Sequence, residues 1–196
     1  GNTVVDALHH ALPAARKPPV ADHMAALLGS VPPDRPLVLA TAHRRESIGA
    51  GLRNIAAALR DVAADGQATI VFSAHPNPEV AEAFQGLAGE DSTLRTIPPQ
   101  DYLAFLHLLD RADIVVTDSG GIQEEASCLG KPVMVLRDTT ERPELIEAGN
   151  GMLVGTDRAR IALVLRDLIA NPARRLEMAR AHGSFGDGRS GERIAA

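Results

Sequence analysis

Six short apolar runs alternate with longer amphipathic segments along this chain. The runs are rich in aliphatic and β-branched residues and are too short for buried helices, so they are predicted strands. They cover residues 37–41, 69–73, 94–97, 114–117, 133–136 and 152–154. Continuous apolar character is typical of parallel strands buried on both faces. The pattern therefore predicts an α/β fold: a Rossmann-like, doubly wound, mostly parallel six-stranded sheet.

Apolar residues recur at helical spacing in three of the segments between strands, and each set predicts one buried helix face. Asp101 is a candidate cap for the second of these helices. The third is predicted to start near Asp157 and to stop at Asn171-Pro172. The three sets are Leu52, Ile55, Ala56, Leu59 and Val62; Tyr102, Phe105, Leu106 and Leu109; and Ile161, Val164, Leu165, Leu168 and Ile169.

Two segments stand outside the alternation of strands and helices. Residues 1–35 are rich in alanine and proline and are predicted to form a linker with one helix. Residues 183–191 are glycine-rich and precede a short tail, so 183–196 is predicted to dock on a neighbour. The predicted nucleotide-binding domain is the intervening 36–182.

Composition narrows the classes of function. At 196 residues and 45% hydrophobic, the chain is long enough for one well-buried domain. A net charge of -5 argues against non-specific nucleic-acid binding, and no apolar run reaches membrane length. Cys128 is a single cysteine, which favours a reducing, cytoplasmic location. No signal peptide opens the chain. Its first residue is Gly1 and not Met, which suggests a piece of a longer protein, although a cleaved tag would leave the same start.

Polar residues follow the predicted strands at the points where each strand ends. In parallel sheets of this kind, ligands bind in the crevice beyond the carboxyl ends of the strands. A convergent site is therefore predicted there, and no single motif carries the prediction. The polar segments are 43–47, 75–78, 98–101, 119–121 and 137–143.

Residues 117–125, TDSGGIQEE, predict an anion site where a strand leads into a helix. Ser119 is a candidate helix cap, and Gly120 and Gly121 allow an anion to approach the backbone amides closely. Glu124 and Glu125 conflict with a bound diphosphate if they lie in the first helical turn. The conflict is smaller if one of these glutamates accepts hydrogen bonds from ribose hydroxyls. A tight turn with ordinary capping is the alternative interpretation.

Other residues of the predicted crevice also have ordinary structural interpretations. His43 and His75 are loop histidines, and residues 44–46 also fit a solvated charge cluster. Arg137 and Arg142 either pair with nearby carboxylates or place a guanidinium on a phosphate. By periodicity, Phe105 favours the core over a ligand contact. The chain lacks the common phosphate-loop, dinucleotide, nucleophile-elbow and zinc-protease motifs, and neither a metal nor a cofactor is predicted.

Several of these segments together resemble the bacterial UDP-N-acetylglucosamine 2-epimerases of the non-hydrolysing type. The likeness runs from the GNTVVD start, which is similar to that family's interdomain linker, to the GDG at 186–188. It implies a GT-B arrangement of two Rossmann-like domains, of which this chain resembles the C-terminal half. The motifs are 41–47 (TAHRRES), 75–78 (HPNP), 100–103 (QDYL), 117–125, 130–132 (GKP) and 137–144 (RDTTERPE).

The resemblance also implies a ligand and its binding residues. The ligand is UDP or a UDP-N-acetylhexosamine, held between this half and an N-terminal domain on which the tail 183–196 docks. His43 is also the one residue of this chain for which a catalytic role is implied. The implied substrate-binding residues are Gln100 and Phe105 at the uridine, Ser119, Gly120 and Gly121 at the phosphates, Glu125 at the ribose, and Arg142 and His43 at the diphosphate and sugar.

The implied reaction is elimination of UDP to give 2-acetamidoglucal, followed by re-addition with inversion at carbon 2. The acid and base carboxylates are expected in the N-terminal half, and the whole protein is expected to be a cytoplasmic enzyme of cell-envelope polysaccharide synthesis and a homodimer. Three alternatives stay open: a hydrolysing 2-epimerase, a GT-B glycosyltransferase and a non-catalytic nucleotide-binding module. Many retaining glycosyltransferases carry two glutamates eight positions apart. Pro132 and Val133 stand eight positions after Glu124 and Glu125, which counts against that class.

Overall fold

The computed structural model describes residues 2–29, 31–85, 93–180 and 185–196. These ranges hold six strands, ten α-helices and one 3-10 turn at Arg45–Ser47. The strands are β1 Leu37–Thr41, β2 Thr69–Ser73, β3 Leu94–Ile97, β4 Ile114–Thr117, β5 Val133–Val135 and β6 Gly151–Leu153. The helices are α1 Thr3–Ala15, α2 Pro18–Leu28, α3 Ala50–Ala64, α4 Pro78–Ala83, α5 Tyr102–Arg111, α6 Gly120–Cys128, α7 Pro143–Glu147, α8 Arg158–Ala170, α9 Pro172–Arg180 and α10 Ser190–Ala195.

The six strands form one sheet in the order β3-β2-β1-β4-β5-β6, and every neighbouring pair is parallel. The chain moves outward from β1 to β3 and then crosses to the other side of β1 for β4. This reversal creates a crevice between the carboxyl ends of β1 and β4, which is where ligands of doubly wound sheets bind. The predicted parallel six-stranded fold is confirmed.

Alternate residues of the strands enter two separate apolar layers. Val38 and Ala40 of β1 face a layer built with α3 and α8, whereas Leu37 and Leu39 face a layer built with α1, α2, α5 and α6. Both faces of the sheet are thus covered, which explains the continuously apolar strands. The buried helix faces predicted for α3 and α8 lie in these layers, as do Phe105, Leu106 and Leu109 of α5. The prediction is wrong for Tyr102, which is 44% exposed at the start of α5.

Helix boundaries also follow the predicted signals. The Asp101 carboxylate accepts a hydrogen bond from the Ala104 amide at the start of α5, and the Asp157 carboxylate accepts one from the Arg160 amide at the start of α8. Helix α8 ends at Ala170, directly before Asn171-Pro172. Local capping chemistry is therefore enough to place these ends.

The prediction of one helix in residues 1–35 is wrong, because this segment forms both α1 and α2. Val5 and Leu8 of α1, and Met24 and Leu28 of α2, are buried in the layer that contains α5. Proline did not prevent either helix: Pro18 occupies the first position of α2, where its missing amide costs nothing. The two helices extend the core.

The tail contacts the first helix of the same chain. The Asp6 carboxylate of α1 accepts hydrogen bonds from the amides of Ser190 and Gly191, at 3.1 and 2.8 Å, and so caps α10. These backbone bonds lower the pKa of Asp6. The first residues of the predicted tail, 183 and 184, lie outside the described residues. None of the helices in the described ranges is both long and apolar enough to cross a bilayer.

The last two strands differ slightly from their predicted bounds, since β5 ends at Val135 and β6 begins at Gly151. The predicted strand starts one residue late because Gly151 does not extend the apolar run that predicts β6. A side chain there would clash, because an added Cβ would stand 2.6 Å from Leu145 of α7. Gly151 therefore allows α7 to pack closely on the edge of the sheet.

Candidate functional site

The amino end of α6 lies at the carboxyl end of β4, in the crevice described above. Ser119 occupies the N-cap position, as predicted, but its side chain makes no capping bond, so that part of the prediction is wrong. Instead its amide donates to Oγ1 of Thr117, at 3.1 Å. A Cβ added to Gly121 would meet no atom within 4 Å. This helix end therefore combines partial positive charge with open space beside the backbone.

Two guanidinium groups converge above the first residue of α6. The Nη2 atoms of Arg44 and Arg142 each lie 3.6 Å from the position that a Cβ on Gly120 would occupy. Arg44 comes from the loop after β1 and Arg142 from the loop after β5, so the sheet brings them together. Two cations and a helix amino end surround one small volume, which suits a ligand carrying two negative charges.

Arg142 is held in place by a buried carboxylate. Its Nε atom forms an ion pair with Oε1 of Glu124, which is 4% exposed. The second oxygen of Glu124 accepts a hydrogen bond from the Asn2 side chain at 2.7 Å. Both oxygens of Glu124 are thus engaged within the protein. Glu124 therefore orients Arg142. It has no free oxygen for a ribose, which leaves Glu125 as the candidate of the two.

The loop that carries Arg142 is tied to α6 by a second contact. The Thr140 hydroxyl donates to Oε1 of Gln123, at 2.8 Å, and accepts from the Arg142 amide, at 3.0 Å. Pro143 then begins α7, as predicted. Arg137, by contrast, pairs with Glu46 at 2.6 Å and with Glu141 at 3.7 Å. For Arg137 the ordinary interpretation, pairing with nearby carboxylates, accounts for the contacts.

Glu125 lies against the start of α5. It is buried, and burial raises the pKa of its carboxyl, with the neighbouring Tyr102 hydroxyl opposing part of that rise. Burial and the nearby Glu125 charge raise the pKa of Tyr102 to about 12. Helix α6 has no acidic residue in its first turn, so Glu124 and Glu125 lie farther from the helix end than predicted. The predicted conflict with a diphosphate is correspondingly weaker.

The two residues expected at the uridine, Gln100 and Phe105, lie just before α5 and on α5, the helix that Tyr102 begins. Phe105 of α5 is half-buried and packs against the α1, α2, α5 and α6 layer, in agreement with its core periodicity. The Gln100 amide folds back onto its own loop and donates to the Pro98 carbonyl at 2.7 Å. Tyr102 joins this region to α6 through Glu125. The interactions of the described residues thus connect Gln100 to its own loop and Phe105 to the apolar layer, and they include no contact of either with Arg44 or Arg142.

His43 lies in the loop after β1, directly before Arg44. Its amide and that of Arg44 both donate to Oδ2 of Asp118, at 2.8 Å each. Its ring stacks on that of His75, with centroids 4.7 Å apart and planes within 10°. Burial lowers the pKa of His43, with Asp118 opposing that shift and His75 and Arg44 adding to it. The two predicted loop histidines are thus one stacked pair.

Two residues of this site had no assigned role in the sequence interpretation. Arg44 was treated as part of a charge cluster, although its position just after β1 is the signal that places it at the crevice. Asp118 is fully buried directly after β4, and its carboxylate links the loops after β1 and β4. An acidic residue that directly follows an apolar strand is the signal that identifies it.

Comparison with known proteins decides the family. The whole chain, residues 1–196, matches the family model described as UDP-N-acetylglucosamine 2-epimerase. The chain belongs to this family. It is 43% identical over 198 residues to the UDP-N-acetylglucosamine 2-epimerase of Escherichia coli K12, covering 99% of this chain and 52% of that protein. The enzyme of Bacillus subtilis is 37% identical, with 49% of its length covered.

Solved structures of 2-epimerases agree with this assignment. The Neisseria meningitidis UDP-GlcNAc 2-epimerase bound to UDP-GlcNAc superposes with a TM-score of 0.92 at 38% identity, over 100% of this chain and 53% of that one. The glycosyltransferase WaaG, at 14% identity and a TM-score of 0.63, shares the fold alone. This chain therefore has the fold of the C-terminal half of a GT-B protein, as predicted, and spans about half the length of the curated 2-epimerases.

Proposed function

We propose that this chain is the UDP-binding half of a UDP-N-acetylglucosamine 2-epimerase that interconverts UDP-GlcNAc and UDP-ManNAc. The observation that carries the proposal is the convergence of Arg44 and Arg142 on Gly120 at the amino end of α6. A diphosphate matches that arrangement in charge and size. Membership of the 2-epimerase family and the fold shared with an epimerase bound to UDP-GlcNAc support the same ligand.

The binding roles follow from this placement of the diphosphate. Gly120, Gly121 and the Ser119 hydroxyl, which makes no capping bond, face the phosphates together with both arginines, and His43 faces the diphosphate or the sugar. Glu125 takes the ribose, because both oxygens of Glu124 are already engaged. Gln100 and Phe105 lie at the uridine, on the side of the crevice where Tyr102 meets Glu125.

The reaction breaks the bond between the anomeric carbon and UDP while a base removes the proton from carbon 2, giving 2-acetamidoglucal and UDP. UDP then adds back as a proton returns to the opposite face of carbon 2. This half of the protein stabilises the charge that develops on departing UDP, through the arginines, the α6 amides and His43. The carboxylates that move the carbon-bound proton belong to the N-terminal half, and the reaction uses no cofactor.

The wider organisation of the protein is part of the same proposal. Residues 1–35 join an N-terminal domain to the nucleotide-binding domain at 36–182, and the tail 183–196 docks on that N-terminal domain. Exposure of Ile194 at the outer face of α10 supports this docking, since its side chain is 76% exposed here. The whole protein is proposed to be a cytoplasmic homodimer in cell-envelope polysaccharide synthesis.

The proposal is tested by supplying UDP-GlcNAc to the longer protein that contains this chain and identifying the sugar product. UDP-ManNAc, formed without accumulation of free UDP, is the expected product. Free N-acetylmannosamine with one equivalent of UDP would replace the proposal with a hydrolysing epimerase. Transfer of the sugar to an acceptor, with no change at carbon 2, would identify a glycosyltransferase instead.

A further inference from the structure

The buried carboxylate of Asp118 has more acceptor capacity than its backbone bonds use. Its Oδ2 atom accepts both loop amides, from His43 and Arg44. Its Oδ1 atom is buried and has no hydrogen-bond partner among the described residues. Nδ1 of His43 lies 3.5 Å from this oxygen. A buried anionic oxygen without a donor is costly, so a proton on that nitrogen is strongly favoured.

His43 and His75 have opposite surroundings at their Nδ1 atoms. The Asn77 amide donates to Nδ1 of His75, at 3.2 Å, so that nitrogen carries a lone pair and the neutral ring is protonated at Nε2. Nδ1 of His43 instead faces the Asp118 carboxylate. The two stacked rings are therefore set in different tautomers by their partners.

We infer that Asp118 is a positioning residue that holds His43 in its Nδ1–H tautomer and leaves Nε2 as the nitrogen that meets the UDP-sugar. The role at the sugar rests on the proposed function, whereas the tautomer is a property of the free chain. Neutral His43 then offers an acceptor at Nε2. Once protonated, the same ring donates from Nε2 to departing UDP, and Asp118 stabilises the imidazolium.

Replacement of Asp118 by asparagine tests this assignment with little change in shape. The two backbone amides require an oxygen, so the carbonyl of the asparagine takes the place of Oδ2. Its NH2 group then stands where Oδ1 stood and presents a donor to Nδ1 of His43. The variant keeps the loop bonds but reverses the hydrogen-bond demand on the ring, which moves the histidine proton to Nε2.

The measurement is the nitrogen-15 spectrum of the histidine rings of the free chain, recorded above the pKa of His43. The His43→Gln variant identifies the His43 signals by their loss. In the parent chain, His43 is expected to show a protonated Nδ1 and His75 a protonated Nε2. In Asp118→Asn, the chemical shifts of the two His43 nitrogens exchange, whereas those of His75 keep their pattern.

A protonated Nε2 on neutral His43 in the parent chain would overturn the inference, and that result does not depend on whether Asp118→Asn folds. The same tautomer in the parent and in Asp118→Asn would also overturn it. A parallel titration with UDP separates this inference from the proposed function. If the tautomer exchanges but UDP leaves Gly120 and Gly121 unperturbed, the proposed ligand is wrong and the role of Asp118 stands.

Discussion

Arg142→Ala weakens UDP binding by about tenfold or more and also lowers stability. A charge-assisted hydrogen bond is worth about 1.5–3 kcal/mol, and every 1.4 kcal/mol is about a factor of ten in affinity. The substitution also leaves the buried carboxylate of Glu124 without its ion-pair partner, at a cost of about 1–3 kcal/mol. Titration with UDP and thermal unfolding measure the two effects on the same protein.

Variants of two other arginines distinguish an effect on UDP binding from an effect on stability. Arg44→Ala is expected to weaken UDP binding without a matching loss of stability, since its carboxylate partner Glu141 is 3.9 Å away and exposed. Arg158→Ala removes an exposed surface pair with Asp61 and is expected to change neither quantity appreciably. Equal affinity for UDP in Arg142→Ala, Arg44→Ala and Arg158→Ala would remove both arginines from the proposed diphosphate site.

The isolated chain incorporates no deuterium at carbon 2 of UDP-GlcNAc in deuterated water. Proton removal from that carbon needs a free, positioned base. The carboxylates of Asp118 and Glu124 are buried: Oδ2 of Asp118 accepts two loop amides while Oδ1 faces His43, and both oxygens of Glu124 are engaged by Arg142 and Asn2. In the proposed function, the chain supplies the charge stabilisation of the reaction but not its proton transfer. The isolated chain is therefore expected to show no exchange at carbon 2, even though it contains the proposed UDP-binding crevice.

Mass and NMR spectra of the recovered sugar nucleotide measure this exchange. The longer protein that contains the chain serves as the positive control under the same conditions. Deuterium at carbon 2 after incubation with the pure chain, absent in the Arg142→Ala variant, would show that an acid or base residue lies in this half after all.

The strands were the most predictable part of the fold. Four of them, β1 to β4, have the predicted bounds. β1, β2 and β4 are short runs buried at every position, whereas β3 is buried only at Leu94 and Ile97. The starts of helices α5 and α8 were equally predictable from the sequence, since Asp101 and Asp157 each cap the amide three residues later. Local rules succeed where the stabilising contacts are close in sequence.

The first 35 residues show where local rules fail. Their prolines indicated a linker, whereas burial of Leu8 and Met24 against distant α5 determines that α1 and α2 form. The cap of α10 likewise comes from Asp6, more than 180 positions earlier. Contacts of this kind depend on the completed fold, and the spacing of residues in the sequence does not show them.

The candidate site was predictable as a place but not as a set of contacts. Strand ends identified the loops that carry His43, Gly120 and Arg142. The engagement of Glu124 by Asn2, and of Asp118 by the loop after β1, joins segments 122 and 75 positions apart. Those two contacts decide which carboxylates remain free, and only the three-dimensional structure shows them.

The most direct test of the account is titration of the nitrogen-15-labelled chain with UDP, followed through backbone amide shifts. The largest shifts are expected at Gly120 and Gly121 and in the loops that carry Arg44 and Arg142. Affinity is expected to be weak, because the proposed N-terminal domain would supply the other half of the crevice, and the contacts left to this chain are too few to offset much of the cost of immobilising the ligand. Unchanged Gly120 and Gly121 signals, with shifts on another surface, would contradict the central claim that UDP binds at the amino end of α6.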